Sequence, residues 1–180
     1  MVYLFLANGF EELEAITVVD LLRRADIQIK TVSIMEDKLV YGSKGIGIEA
    51  DALFKSIEFG KGTMVILPGG MPGTTNLCNY KPLEEVIEEY NSRNKPIAAI
   101  CAAPMVLGRM GILAGHSATI YEGMEAELAG AEVVDENVVV SGNIITSKGP
   151  GTAIDFALAI IAYIKGSDTA DKVRTELLYK

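Results

Sequence analysis

The stretch "IAAICAAPM", Ile97 to Met105, decides the fold. Its first four residues are apolar with no polar alternation, the pattern of a short strand buried on both faces. Small residues and a proline follow, as at the first turn of a helix. Strand, tight turn and helix in that order make one unit of a parallel α/β sheet, and Cys101 stands at the turn. Its thiol either fills core space, as free cysteines commonly do, or is held at the helix start in order to react.

The same alternation runs outward in both directions. "VYLFLA" (Val2–Ala7) reads as a strand, Glu11–Ala25 as a helix and Ile27–Ile34 as a strand. "LVYG" and "GIGIEA" form a small hairpin or edge element. "MVILPGG" (Met64–Gly70) is a buried strand ending in a glycine turn, and Pro82–Arg93 is a helix with proline in its first turn. After "IAAI" come "APMVLGRMGIL" as a helix, "ATIY", "VVV" and "IITS" as strands, and a closing helix from "GPGTAIDFALAIIAYI". Apolar strands alternating with amphipathic helices predict an α/β sandwich with a mainly parallel sheet covered on both faces. No linker or repeat divides residues 1–180, which read as one domain.

At 180 residues the chain is long enough for one substantial core. Its net charge of −8 argues against a nucleic-acid groove or attraction to an anionic membrane. The first apolar run lacks a basic flank, and the longest one contains Asp155, so neither a signal peptide nor a membrane span is expected. Cys78 and Cys101 read as reduced thiols of a cytoplasmic protein. With His116 the single histidine, a histidine-based metal site has no support, and no cofactor is expected.

In parallel sheets, ligands bind beyond the carboxyl ends of the strands. Three loops fall on that edge: "ANGFEE", "LPGGMPG" and "CAAP". Ala99 and Ala103, two positions either side of Cys101, are small enough for a nucleophile elbow. The elbow would turn the N–H of Ala102 toward the thiol, lowering its pKa toward or below neutrality and offering an oxyanion site. On a wheel of about 100° per residue, Glu14 shares an arc with Val18, Leu21, Leu22 and Ala25. Glu12, Asp20, Arg23 and Arg24 lie on the other side. Glu14 is therefore expected to be buried and protonated, able to donate to a thiolate, unless it bends out at a frayed first turn. Gly69 and Gly70 permit close backbone approach, and Gly70 N–H can join Ala102 N–H in an oxyanion hole; a plain turn is the alternative.

Taken together, "ANGFEELEA", "VILPGGMPG", "AAICAAP" and "TSKGPGTAIDFALAII" resemble the ThiJ/PfpI superfamily, and within it the parkinsonism-associated protein deglycase branch with the bacterial YajL-like proteins. The resemblance implies a flavodoxin-like sandwich and a homodimer. It matches Cys101 to the reactive nucleophile, Glu14 to its protonated partner, and Gly70 and Ala102 to the oxyanion amides. Gly149–Gly151, with Pro150 at its centre, matches a segment near the active site and dimer interface. Many relatives carry a histidine where Tyr121 stands here, so Tyr121 is an accessory candidate, and His116 is expected on a surface loop. The peptidase-like branch places histidine directly after the cysteine, where this chain has Ala102, which weighs against a cysteine peptidase. The functions implied are a cofactor-independent glyoxalase III or deglycase acting on small carbonyls or glycated protein, or a redox-sensing stress protein or chaperone that uses oxidation of Cys101.

Overall fold

The computed structural model describes residues 1–180. In chain order its strands are β1 (Val2–Leu6), β2 (Ile29–Ser33), β3 (Leu39–Tyr41), β4 (Gly47–Glu49), β5 (Ala52–Leu53), β6 (Met64–Leu67), β7 (Ile97–Ile100), β8 (Ser117–Ala118), β9 (Glu132–Val133), β10 (Val138–Ser141) and β11 (Ile144–Ser147). The helices are α1 (Glu12–Arg24), α2 (Gly73–Cys78), α3 (Lys81–Ser92), α4 (Pro104–Arg109), α5 (Ala153–Lys165) and α6 (Ser167–Glu176).

Seven strands form one sheet in the order β10-β11-β7-β6-β1-β2-β5. Every neighbouring pair in it is parallel except the β10–β11 hairpin at one edge. Side-chain alternation divides the core into two layers. Leu4, Leu6, Met64, Ile66, Ala98 and Ile100 point to the face covered by α1, α5 and α6. Tyr3, Phe5, Val65, Leu67, Ile97 and Ala99 point to the face carrying α3 and α4. Both faces are buried, which is why these strands read as unbroken apolar runs. The fold is the expected α/β sandwich with a mostly parallel sheet.

From β1 the chain builds outward to β2 and β5, then returns to β6 on the other side of β1. That reversal of strand order opens a crevice at the carboxyl ends of β1 and β6, the usual ligand position in such sheets. No helix is long and apolar enough to cross a membrane.

Three local expectations need correction. The helix expected to run to Leu113 stops at Arg109, and Gly111 beyond it takes a positive φ of 70°. Of the "ATIY" run only Ala118 is in a strand, the two-residue β8, which pairs with β9 outside the main sheet. Two of the run's N–H groups bond elsewhere: Thr119 donates to Thr146 Oγ1 and Tyr121 to the carbonyl of Cys101. Glu12, placed by the wheel on the solvent side, is 6% exposed because the β3–β4 turn folds over it. Its carboxylate there accepts the N–H groups of Lys44 and Ile46 and the hydroxyl of Ser43.

Candidate active site

β1, β6 and β7 are adjacent and parallel, so the three loops that follow them meet at one end of the sheet. Main-chain bonds tie them together: Glu11 N–H donates to Gly69 O at 2.9 Å, and Gly73 N–H to Gly9 O at 3.1 Å. The convergence expected from topology is therefore real, and it brings Glu14, Gly69, Gly70, Cys101 and Ala102 together.

Cys101 adopts φ 63°, the left-handed region that a residue with a β-carbon enters at a cost of about 1–3 kcal/mol. The elbow is pinned from both sides: Cys101 N–H donates to Ser147 O of β11 at 2.9 Å, and its carbonyl accepts from Tyr121 N–H at 2.9 Å. Ala99 and Ala103 are fully buried, as a crowded elbow requires. The thiol is not in open solvent; the residue is 9% exposed.

Glu14 is fully buried. Its Oε2 accepts the Gly69 N–H at 2.7 Å. Its Oε1 has no well-formed hydrogen bond, and the carboxyl lies against the Cys101 thiol. Gly69 fits between them because it has no side chain. A β-carbon there would sit 2.6 Å from the Cys101 Cβ, 2.8 Å from Glu14 Oε2 and 2.9 Å from the Ile100 carbonyl. Gly70 has φ 89°, so glycine is required for the turn as well as for close approach.

Burial pushes the Glu14 carboxyl up to about 7, opposed by the thiol contact and the Gly69 N–H and reinforced by the charge of Glu11. Burial and the neighbouring Glu14 push the Cys101 thiol up to about 12, opposed by the N–H groups of Ala102 and Gly70. The expectation of a thiol acidified by helix-end amides alone is thus corrected: α4 is a short helix, and burial beside a carboxyl outweighs its amides. The two groups titrate as a pair. Above neutrality that pair carries one negative charge and keeps one proton.

Tyr121 comes to the site through its main chain, while its side chain is half exposed. The ring faces Gly149, whose missing β-carbon would lie 3.3 Å from it and 4.0 Å from the Cys101 sulfur. Pro150 lines a cleft of about 700 Å³ with Tyr121, Lys148, Gly149 and Asp135. His116 lies in the loop just before β8, as expected, but is half buried, with Nδ1 2.9 Å from Ser141 O. Ser141 pairs with Ile144, which is aligned with Ile97 at the opposite end of β7 from the thiol. His116 plays no part at this site. Cys78 is also free and half buried, at the end of α2.

Sequence reasoning missed two supports. Ser147 and Thr152 hold the Gly149 turn: their hydroxyls lie 2.7 Å apart, and Gly149 N–H donates to Thr152 Oγ1. The paired hydroxyls flanking "KGPG" were a visible sign. The other is the β3–β4 turn over Glu11 and Glu12, which no local pattern announces.

A parallel sheet with a strained cysteine elbow and a buried carboxyl from the first helix defines a class of cysteine-centred α/β proteins. The chain belongs to the DJ-1/PfpI family, whose model matches residues 1–163. It is 37% identical to Drosophila melanogaster protein dj-1beta over 175 residues, 96% of this chain and 94% of that protein. It is 36% identical to Arabidopsis thaliana protein DJ-1 homolog A over 97% of this chain, but spans only 45% of that relative. A third relative, 33% identical over 91% of this chain and 87% of its own length, is the glutathione-independent glyoxalase DJR-1.2 of Caenorhabditis elegans. Among solved structures, oxidized Toxoplasma gondii DJ-1 superimposes with a TM-score of 0.95 at 34% identity, covering 99% of this chain and 97% of that one.

Proposed function

We propose that the chain is a cofactor-independent enzyme acting on reactive carbonyls, with Cys101 as nucleophile and Glu14 as proton carrier. The observation that carries this reading is the buried Glu14 carboxyl: one oxygen is anchored by Gly69 and the other is left without a firm partner beside the thiol. In the reactive form the proton that the pair retains passes from sulfur to Glu14, and the negative charge moves to sulfur, where Gly70 and Ala102 direct their N–H groups.

With methylglyoxal, the thiolate adds to the aldehyde carbon, and Glu14 protonates the resulting oxyanion to give a hemithioacetal. The Glu14 carboxylate then removes the proton from that carbon and returns it to the neighbouring ketone carbon through an enediol. This internal redox step oxidises the aldehyde carbon to a thioester and reduces the ketone to an alcohol. Water cleaves the thioester, releasing lactate and restoring the thiol, so the balance is methylglyoxal plus water to lactate. An early glycation adduct on protein, a carbinolamine at the same carbon, enters by displacement: the C–S bond replaces the C–N bond, and Glu14 protonates the amine or guanidine, which leaves unmodified. The C. elegans relative's name supports glyoxalase chemistry. Lactate formation by pure wild type, lost in Cys101→Ser and in Glu14→Ala, tests the proposal; equal rates in wild type and Cys101→Ser would overturn it.

A second reading rests on the same sulfur. Two N–H groups at a thiolate also stabilise its peroxide oxidation products. One peroxide converts the thiolate to sulfenate, releasing water, and a second gives sulfinate. The oxidized state named for the T. gondii relative supports this redox-sensing role. We propose the homodimer and cytoplasmic placement on family resemblance alone.

A further inference from the structure

Glu11 and Ser43 have no place in the chemistry above, yet they connect the β3–β4 turn to Glu14. Ser43 Oγ lies between two carboxylates and donates toward Glu11 Oε2 at 3.0 Å and Glu12 Oε2 at 3.3 Å. Ser43 N–H is fixed to Phe10 O at 2.7 Å, just ahead of α1. Glu11 N–H donates to Gly69 O, and the N–H of that same glycine holds Glu14 Oε2. Glu11 and Glu14 stand one helical turn apart, the spacing at which like charges on a helix act on each other.

From this continuous path we infer that Glu11 and Ser43 are positioning residues that set the proton affinity of the Glu14–Cys101 pair. The charge of Glu11 opposes ionisation of Glu14, and the Ser43 hydroxyl attenuates that charge by donating to it. The titratable and charged groups around Glu14 and Glu11 are few. From the start of α1 they are Glu11, Glu12 and Glu14 themselves, and Cys101 comes from the β7–α4 turn. The Gly69–Pro72 loop contributes none. Glu12 has the N–H groups of Lys44 and Ile46 besides the Ser43 hydroxyl, and these donors pull its carboxyl below the usual range despite burial. Glu11 is the carboxylate whose hydrogen bond comes from Ser43, at the shorter distance.

The two substitutions must therefore act in opposite directions. Glu11→Gln removes the opposing charge, so the pair loses its first proton more readily and the midpoint of Cys101 alkylation falls. Ser43→Ala leaves Glu11 charged but unattenuated, so the midpoint rises. By the Coulomb energy of charges one turn apart near a protein surface, each shift is about half to one pH unit. Ser43→Thr keeps the hydroxyl and retains the wild-type midpoint.

The experiment is the pH dependence of iodoacetamide modification of Cys101, followed by intact mass in a Cys78→Ser background. It requires no carbonyl turnover, so it separates this inference from the enzymatic proposal. Opposite shifts with rescue by threonine support the inference. Shifts in the same direction, which general loosening of the hairpin would cause, overturn it, as do unchanged midpoints. If Ser43→Ala does not fold, Glu11→Gln against Ser43→Thr decides it, since an unmoved midpoint in Glu11→Gln is then sufficient to reject the role.

Discussion

Gly69 donates its N–H to Glu14 Oε2 at 2.7 Å, joining the loop after β6 to the first turn of α1 inside the protein. One short bond thereby fixes a carboxyl that burial would otherwise leave without any firm partner. It also sets which oxygen remains for Cys101. The consequences reach stability as well as chemistry.

Glu14 makes the fold less stable as pH rises. Its carboxyl titrates near 7 in the folded chain and near 4.3 when unfolded, so the native state binds more protons between these values. The contribution is fully present below about pH 4.3 and lost as pH rises through 7. Glu14→Gln, which needs no proton to stay neutral, removes this dependence. Urea unfolding at pH 8 is expected to show the variant more stable than wild type by about 1–3 kcal/mol, with little difference at pH 5. Parallel profiles for the two proteins would refute the assignment.

Gly69→Ala tests the close packing. Its β-carbon would meet the Ile100 carbonyl and the Cys101 Cβ, neither of which can swing away. Destabilisation of about 1–3 kcal/mol is expected, together with loss of Cys101 alkylation through displacement of Glu14. Gly151→Ala meets nothing within 4 Å and serves as the control. Its stability should stay within about 0.5 kcal/mol of wild type.

The sheet and the convergence of its loops were legible in the sequence because both faces are covered, which makes every central strand an apolar run with a glycine or elbow behind it. Glu14 was legible for a related reason: helical periodicity places it on the buried arc, and no neighbour on the chain overrides that. Glu12 was misplaced because its burial comes from the β3–β4 turn, some thirty residues away, and a wheel contains no such partner. The Cys101 elbow was visible in Ala99 and Ala103, whereas the balance of burial against amides depends on depth, which spacing does not report. Tyr121 was expected in a strand, yet its N–H reaches the elbow carbonyl.

Glu12 contributes in the opposite sense to Glu14. Its donors hold its carboxyl below the usual range, so its stabilisation is present above the unfolded value near 4.3 and is lost as pH falls through the folded one. Glu12→Gln keeps the shape but loses the charge-assisted bonds to Lys44 and Ile46. Hydrogen bonds to charged groups contribute about 1.5–3 kcal/mol, and a loss of that size is expected at pH 7. Amide exchange should localise it: the N–H groups of Lys44 and Ile46 lose protection while those of β1 and β6 do not. Uniform loss across the sheet would exclude a local anchor.

The two thiols should respond differently to peroxide. Cys78 is half buried, its thiol pushed up by burial, and it has no pair of main-chain N–H groups directed at sulfur. Cys101 has both amides and a carboxyl able to take its proton, so a thiolate formed there and its oxidised states are held in place. Mild peroxide followed by peptide mass analysis is expected to show sulfenic and then sulfinic acid at Cys101 while Cys78 remains reduced. Glu14→Ala should slow that oxidation, because it removes the group that takes the proton from the thiol. Tyr121→Phe should leave the rate within about twofold, because the bond that pins the elbow comes from its main-chain N–H and survives the substitution. Equal oxidation of Cys78 and Cys101 would remove the chemical distinction on which both readings of the site depend.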